Sequence, residues 1–272
     1  NLFGNALKTN TSLAFAVLTG CLRIAKESIF TGLNNFKVYS ITNVQFDETF
    51  GFTDAEVKEM LHYYELDDKY EEVREWYDGY HFGKADIYCP WDVVNYCNDH
   101  LNNPDAEPEN YWMNTSGNSI INHFIDSINE PDMLTKAELE RLVNGKLVRK
   151  RVDEMITYNE LYSTMDNLWS TLFMTGYLTQ QGKESDGRYC LAIPNREIRN
   201  IITERILTLF RNEVKKRWQN GGKILSGIDK STAGKSRRTV KRLFDKKQSV
   251  SEILSYKNHL KKTSIMVSYL EF

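Results

Sequence analysis

The charge of this chain is divided between two segments, and that division limits how much of it can be treated as one folded unit. Residues 215–272 contain 15 Lys or Arg and 4 Asp or Glu, a balance of +11. Residues 1–214 contain the other 20 basic and 33 acidic residues, a balance of −13. Apolar residues at helix and strand spacing are found before residue 215. We therefore consider the basic tail separately from the rest.

The composition is that of a globular protein. With 41% hydrophobic and 12% aromatic residues among 272, the chain can bury a sizeable core. No apolar run approaches the roughly 18 to 20 residues of a membrane span. The first residues do not have the pattern of a signal peptide, so we expect a cytoplasmic protein without membrane contact. The cysteines lack metal-ligand or disulfide spacing, and we expect no metal site. They are Cys21, Cys89, Cys97 and Cys190.

Two short strands are predicted near the start of the chain. Residues 13–18 read Leu-Ala-Phe-Ala-Val-Leu and stop abruptly at Thr19-Gly20. An apolar run of this kind is typical of a buried strand in a parallel sheet. A second short strand is predicted over residues 36–41.

Two capping boxes predict the starts of helices. Thr53 is followed three residues later by Glu56, and apolar residues then recur at i, i+3, i+4 and i+7. Thr135 and Glu138 repeat the arrangement, and Asn144-Gly145 is a stop signal. We therefore expect helices that begin after Thr53 and after Thr135.

Aromatic residues cluster in two segments between these helices. Residues 76–80 read Trp-Tyr-Asp-Gly-Tyr, and residues 88–91 read Tyr-Cys-Pro-Trp. Gly79 and Pro90 predict turns in these segments. We expect the aromatic side chains to pack in the core.

The second half of the chain has the element order of a winged-helix module. An apolar stripe over residues 161–172 predicts a helix in which Trp169 is buried. Short strands are predicted at 176–179 and 189–193, around a polar turn. Pro194-Asn195 then starts another helix.

One segment partly matches a phosphate-binding loop. Residues 229–236 end in Gly-Lys-Ser, but Asp229 stands where the first glycine of the motif belongs. The preceding residues, 223–226, make a poor strand, whereas the loop requires a buried strand before it. We predict no phosphate site there, and no Ser/His/Asp or Cys/His arrangement is recognisable.

Six phrases, taken in order, resemble those of one family. It is the bacterial AAA-ATPase-like family, whose members usually continue into a PD-(D/E)XK nuclease-like domain. The resemblance covers about residues 1–214. The phrases are Leu18–Asn35, Phe50–Thr53, Trp76–Tyr80, Tyr88–Trp91, Tyr111–Asn118 and Gly176–Leu178.

The resemblance implies a mixed α/β, mostly helical fold. Residues 1–150 would be the C-terminal part of a P-loop AAA-like ATPase core with its helical lid. Residues 151–216 would be a winged-helix-like region with a hairpin. Residues 217–272 would be a basic tail outside the family pattern.

The resemblance carries over no catalytic residues. In the family, the Gly-Lys-Ser phosphate loop and the Asp-Glu pair of the Walker B strand precede the phrase that opens this chain. ATP and Mg²⁺ are therefore expected in an intact parent and not on this chain, which we expect to hydrolyse no ATP. Thr19 would occupy the position of a γ-phosphate sensor, and Arg23 would stabilise the charge of that phosphate.

The function that the resemblance implies is that of a fragment. In the intact parent it would be part of an ATP-dependent switch coupled to a nuclease-like domain. Its partners would be its own missing ATPase and nuclease regions, with DNA a further candidate. The alternative is a non-enzymatic winged-helix module that binds DNA or a protein.

The basic tail has two competing explanations. A net positive charge of this size can indicate a segment that binds nucleic acid. It can also arise from a frameshift. Residues 262–272 can be back-translated with codons selected where the genetic code is degenerate. Translation of that DNA from its third base gives Asn-Phe-Tyr-His-Gly-Ile-Leu-Leu-Gly, which resembles the family's linker to the nuclease domain. We therefore predict a frameshifted, poorly packed tail.

Overall fold

The computed structural model describes residues 2–8, 10–20, 37–112, 119–127 and 133–221. The chain divides into two compact units, residues 1–201 and 202–272. In the first unit lie all the strands that are described. The described part of the second unit, residues 202–221, is the remainder of the last helix. The basic tail from residue 222 lies outside the described residues, as does the phosphate-loop lookalike, and the domain boundaries near 150 and 216 stay predictions.

The fold is mixed α/β, and helices account for more of the described chain than strands do. The helices are α1 (Leu2–Leu7), α2 (Asp54–Tyr63), α3 (Tyr70–Tyr77), α4 (Pro90–Asn102), α5 (Ser119–Ser127), α6 (Met133–Val143), α7 (Met165–Met174) and α8 (Arg196–Gly221). The strands are β1 (Tyr80–Phe82), β2 (Ala85–Ile87), β3 (Val148–Lys150), β4 (Thr179–Lys183) and β5 (Tyr189–Ala192). Single 3₁₀ turns occur at Asp67–Lys69 and Tyr158–Glu160.

The strands form two small antiparallel sheets. β1 and β2 form a hairpin in which Tyr80 faces Ile87. The second sheet has the order β3-β5-β4, so the middle strand is the last in sequence. The predicted hairpin is confirmed, although β4 begins at Thr179 because Gly176, at φ +84°, lies in a turn.

The two strands predicted near the start of the chain are wrong. Residues 13–20 form no strand and are exposed, with Phe15 80% exposed. Residues 37–41 are also irregular, and residue 36 lies outside the described residues. A strand needs neighbours to pair its backbone groups and to cover its apolar face. Among the described residues, no strand pairs with either segment.

Helix α2 begins where its capping box predicts. Glu56 N–H donates to Thr53 Oγ1 at 3.4 Å, and Thr53 N–H donates to Glu56 Oε2 at 2.8 Å. Two of the N–H groups that a helix start leaves unpaired are thereby satisfied. The apolar face of α2 buries Val57 and Leu61.

We expect Thr53→Ala to lower the free energy of unfolding by about 1 kcal/mol, because the cap loses its acceptor. Urea denaturation followed by circular dichroism measures the change. Thr49→Ala, at an exposed turn position before the helix, is the matched control and should change stability by less than about 0.5 kcal/mol. Equal losses in the two variants would contradict a capping role for Thr53.

Helix α6 starts earlier than its sequence signal predicts. It begins at Met133, two residues before Thr135. Glu138 instead forms an ion pair with Lys150 of β3 at 2.7 Å, and both side chains are mostly buried. The Glu138 carboxylate, which was predicted to complete the capping box with Thr135, thus forms a tertiary contact with Lys150. The predicted end is confirmed, since Gly145 has φ +74° and its N–H donates to Leu142 O at 2.9 Å.

The helices α2, α3 and α4 share one apolar cluster with the residues between β2 and α4. It supports the β1–β2 hairpin and the start of α4, where the site described below lies. Its buried members are Val57, Leu61, Val73, Tyr77, Tyr88, Val93, Tyr96 and Cys97. The expectation of core packing is confirmed for Tyr77, Tyr80 and Tyr88. It is wrong for Trp91, which is exposed. The turn predicted at Pro90 is also wrong, because Pro90 is the first residue of α4, where its missing N–H costs no helix hydrogen bond.

Helix α7 is buried nearly all round. Six consecutive residues, 168–173, are inaccessible to solvent, and Trp169 is among them as predicted. The Trp169 ring meets Phe124 of α5 edge-on at 4.9 Å and lies under the Lys150 ammonium group at 4.7 Å. The apolar stripe after Asn195 is buried too, at Ile198, Ile201, Ile202 and Ile206.

Candidate functional site

The structure describes one of the two residues proposed to sense ATP. Thr19 is exposed in the irregular segment 10–20. Arg23 lies outside the described residues. Their role therefore stays a prediction.

Four of the six phrases that carry the family resemblance meet in one place. Tyr77 lies 5.9 Å from Tyr111 between ring centroids, and Trp112 lies 4.8 Å from Tyr177. A side chain added at Gly176 would lie 3.6 Å from the Tyr80 ring. We call Tyr77, Tyr80, Tyr111, Trp112 and Tyr177 the aromatic hub. Its rings belong to segments 76–80, 111–112 and 176–178. Segment 88–91 is joined to them because Cys89 N–H donates to Tyr77 O at 3.4 Å.

The turn at Gly79 brings the aromatic hub close to the start of α8. Gly79 has φ +100°, a backbone conformation that residues other than glycine rarely adopt. A Cβ atom at this position would lie 2.1 Å from Pro194 O, well inside contact distance. Only glycine therefore allows this backbone approach.

Two buried carboxyl groups, Asp92 and Glu197, lie beside the aromatic hub; we call them the carboxyl pair. Asp92 is in the first turn of α4 and is 1% exposed, and Glu197 is in the first turn of α8 and is 0% exposed. Trp112 N–H donates to Glu197 Oε1 at 2.7 Å. Helix starts present unpaired N–H groups and favour negative charge, so both positions suit a carboxyl group.

Burial dominates the electrostatics of the carboxyl pair. It raises the pKa of Glu197 to about 9, with the charge of Asp92 as the next cause. Burial also raises the pKa of Asp92. Burial also raises the pKa of the neighbouring Cys89 thiol, and the charge of Asp92 is the second cause. Cys89 is therefore not an activated nucleophile.

An open cavity of about 330 Å³ lies on the outer side of the Gly79 turn. Burial raises the pKa of Asp78, one of its lining residues. Nearby, Arg196 pairs with Glu75 at 3.0 Å and lies over the Trp76 ring at 4.7 Å. The lining residues are Glu71, Arg74, Glu75, Asp78, Gly79 and Pro194.

The arrangement is suited to holding segments together. The carboxyl pair is closed off from solvent. Within the described ranges, no group of three or more His, Cys, Asp or Glu side chains could hold a metal ion. Those ranges also include no helix with the length and apolar character needed to cross a membrane.

Sequence reasoning missed the carboxyl pair. Asp92 interrupts the otherwise apolar or neutral start of α4, and Glu197 directly precedes the isoleucine stripe of α8. Each is an ordinary first-turn acid of a helix. Their proximity depends on how two distant helix starts pack, which no local pattern encodes.

The comparisons with known proteins leave the family open. The chain is 25% identical over 216 residues to an "Uncharacterized protein in vnfD 5'region" of Azotobacter chroococcum mcd 1. The match covers 78% of this chain and 38% of that protein, so the chain spans well under half of the relative's length. No family model matches, and no solved structure matches.

Proposed function

We propose that the chain is part of a bacterial AAA-ATPase-like protein in which an ATP-dependent switch is coupled to a PD-(D/E)XK nuclease-like domain. The observation that carries this proposal is the aromatic hub. Segments far apart in sequence resemble the family phrase by phrase, and four of them pack against one another.

The length of the relative supports the same proposal. A protein that continues well beyond the region shared with this chain has room for additional domains. The described residues offer no ligand cluster for Mg²⁺, and the phosphate-loop lookalike is outside them. We therefore assign ATP and Mg²⁺ to the parent's own phosphate loop and acidic pair, and derive no catalytic step from this chain.

Within that parent, we propose that α2, α3 and α4 belong to the helical lid. The lid would transmit the nucleotide state through the aromatic hub to the region that follows. Thr19 and Arg23 would report the γ-phosphate to the same lid. The partners of this region would be the ATPase and nuclease parts of the parent.

We propose that residues 151–216, together with β3 just before them, form a winged-helix-like module. The strand order β3-β5-β4, with α7 before the β4–β5 hairpin, supports this proposal. DNA-reading modules leave the helix before the hairpin free to enter a groove. Here residues 168–173 of that helix are buried. We therefore propose that this helix packs within the chain and does not read DNA, which leaves a protein as the partner of the module.

The hairpin turn supports this preference for protein over DNA. Arg188 pairs with Asp186 at 2.7 Å, and Arg149 pairs with Glu184 at 2.6 Å. Phosphate tracking requires basic side chains that are available to the backbone of DNA. These two arginines already pair with acids. Of the two forms of the non-enzymatic alternative, binding to DNA and binding to a protein, the protein-binding form therefore has more support.

We expect this chain to hydrolyse no ATP, because γ-phosphate transfer requires a phosphate loop, Mg²⁺ and an acidic pair. Phosphate release by the purified chain should equal the buffer blank. The longer protein that contains this region should hydrolyse ATP, and replacing its phosphate-loop lysine by alanine should abolish the activity. Turnover by the chain alone that Arg23→Ala removes would refute the assignment. Tight binding of duplex DNA by the chain, without any ATPase in the longer protein, would favour the DNA-binding alternative.

A further inference from the structure

Two helices begin at the same buried place, and each contributes a carboxyl group with too few donors. Glu197 Oε1 accepts from Trp112 N–H at 2.7 Å. Glu197 Oε2 and both Asp92 oxygens receive no hydrogen bond from an amide, hydroxyl or cationic donor of the described residues. The Cys89 thiol, a weak donor, is the remaining neighbour that can donate to Asp92. A buried polar atom left in this state costs about 1 to 3 kcal/mol, and more if it is charged.

One proton removes this deficit. Asp92 and Glu197 lie within hydrogen-bond reach of each other. Two carboxylates cannot hydrogen-bond, because neither has a hydrogen to donate. When one is protonated, the contact becomes a charge-assisted O–H···O⁻ bond, which is among the stronger hydrogen bonds in proteins. The two helix starts stabilise the single remaining charge.

We propose that Asp92 and Glu197 form a proton-binding site that fastens the start of α4 to the start of α8 as long as the pair retains a proton. The ligand is H⁺, and the site is independent of the proposed ATPase function. Loss of the last proton would place two charges in contact without solvent, so the two helix starts would separate.

The groups that face the carboxyl pair do not supply a competing charge. They are the Cys89 thiol before α4, the Tyr77 phenol of α3, the Tyr80 phenol of β1 and the Tyr111 phenol. Burial raises the pKa of each, so all four are neutral at neutral pH. Arg196, next to Glu197 in sequence, is engaged by Glu75 and Trp76.

The direction of the pH dependence follows from the raised pKa values. The folded chain keeps a proton on the pair up to about pH 9, whereas an unfolded Glu loses it near its ordinary pKa of about 4.3. Between these limits the folded state binds more protons, so stability is greatest at the acidic end and falls as pH rises. One such proton lowers the folding equilibrium constant by up to about tenfold per pH unit.

The test compares the folding equilibrium constant of the wild-type chain and of Glu197→Gln by urea denaturation at pH 5.5 and 8.5. A glutamine retains the acceptor for Trp112 N–H and donates to Asp92, so it mimics the protonated pair at every pH. We expect the wild-type constant to fall by at least tenfold and at most about a thousandfold. The constant of Glu197→Gln should change less than threefold. Glu59→Gln, at an exposed acid of α2, should behave like the wild type.

Infrared spectroscopy of the folded wild-type chain at pH 7 gives a second readout that does not depend on a variant folding. We expect the carbonyl stretch of a buried protonated carboxyl group, and its absence in Glu197→Gln and in Asp92→Asn. A wild-type spectrum without that band would overturn the proposal. A pH dependence that is the same in the wild type and in Glu197→Gln would also overturn it.

Discussion

Replacing Trp169 with alanine will lower the free energy of unfolding by about 3 to 5 kcal/mol. The side chain is 0% exposed and belongs to the run of six buried residues in α7. Its ring contacts Phe124 of α5 and Lys150 of β3. The variant would lose the transfer free energy of the indole and leave a cavity between elements that cannot fully close around it.

The measurement is urea denaturation followed by circular dichroism, with Trp91→Ala as the matched control. Trp91 is 52% exposed on α4, although its indole N–H donates to Tyr111 O at 3.4 Å. We expect Trp91→Ala to cost no more than about 1 kcal/mol. If Trp169→Ala lowers the free energy of unfolding no more than Trp91→Ala does, Trp169 does not pack in a core around α7.

Gly79→Ala is expected to have an effect of comparable size, about 2 to 6 kcal/mol. The backbone conformation at φ +100° costs a residue with a side chain roughly 1 to 3 kcal/mol. The added methyl group would also lie 2.1 Å from Pro194 O, and overpacking of that kind costs about 1 to 3 kcal/mol. The opposing atom belongs to the backbone that leads into α8, so relief would require moving the first turn of that helix.

Gly182→Ala separates the two contributions. Gly182 has φ +110°, and no atom lies within 4 Å of the position its Cβ would take. It should therefore lose only the conformational part, roughly 1 to 3 kcal/mol. We expect Gly79→Ala to be the more destabilised variant by about 1 to 3 kcal/mol in the same denaturation assay. Equal losses would show that the Gly79 turn can move away from α8.

Local signals in the sequence predicted α2, α6, α7 and α8 in part, whereas α1, α3, α4 and α5 had no predicted counterpart. The capping box at Thr53 and the stop at Gly145 were sufficient to place a helix start and a helix end. The stripe around Trp169 correctly indicated a buried helix face. These features depend on residues within one or two turns of each other, so the chain needs no distant partner to express them.

The errors have a common origin in contacts with distant parts of the chain. The apolar run at 13–18 has strand composition, but a strand forms only when another pairs with its backbone. Glu138 satisfies the pattern of a cap but forms an ion pair with Lys150 instead. Trp91 has the aromatic character of a core residue but lies on the solvent face of α4.

The start of α2, the end of α6, the β4–β5 hairpin and the Gly79 turn could thus be inferred from local residue patterns, because backbone hydrogen bonding and side-chain spacing act over a few residues. The proximity of Asp92 and Glu197 could not. Each acid suits its own helix start, and each would remain charged if that start faced water. Packing of α4 against the beginning of α8 removes the water from both, and desolvation then converts two ordinary acids into a pair that shares a proton.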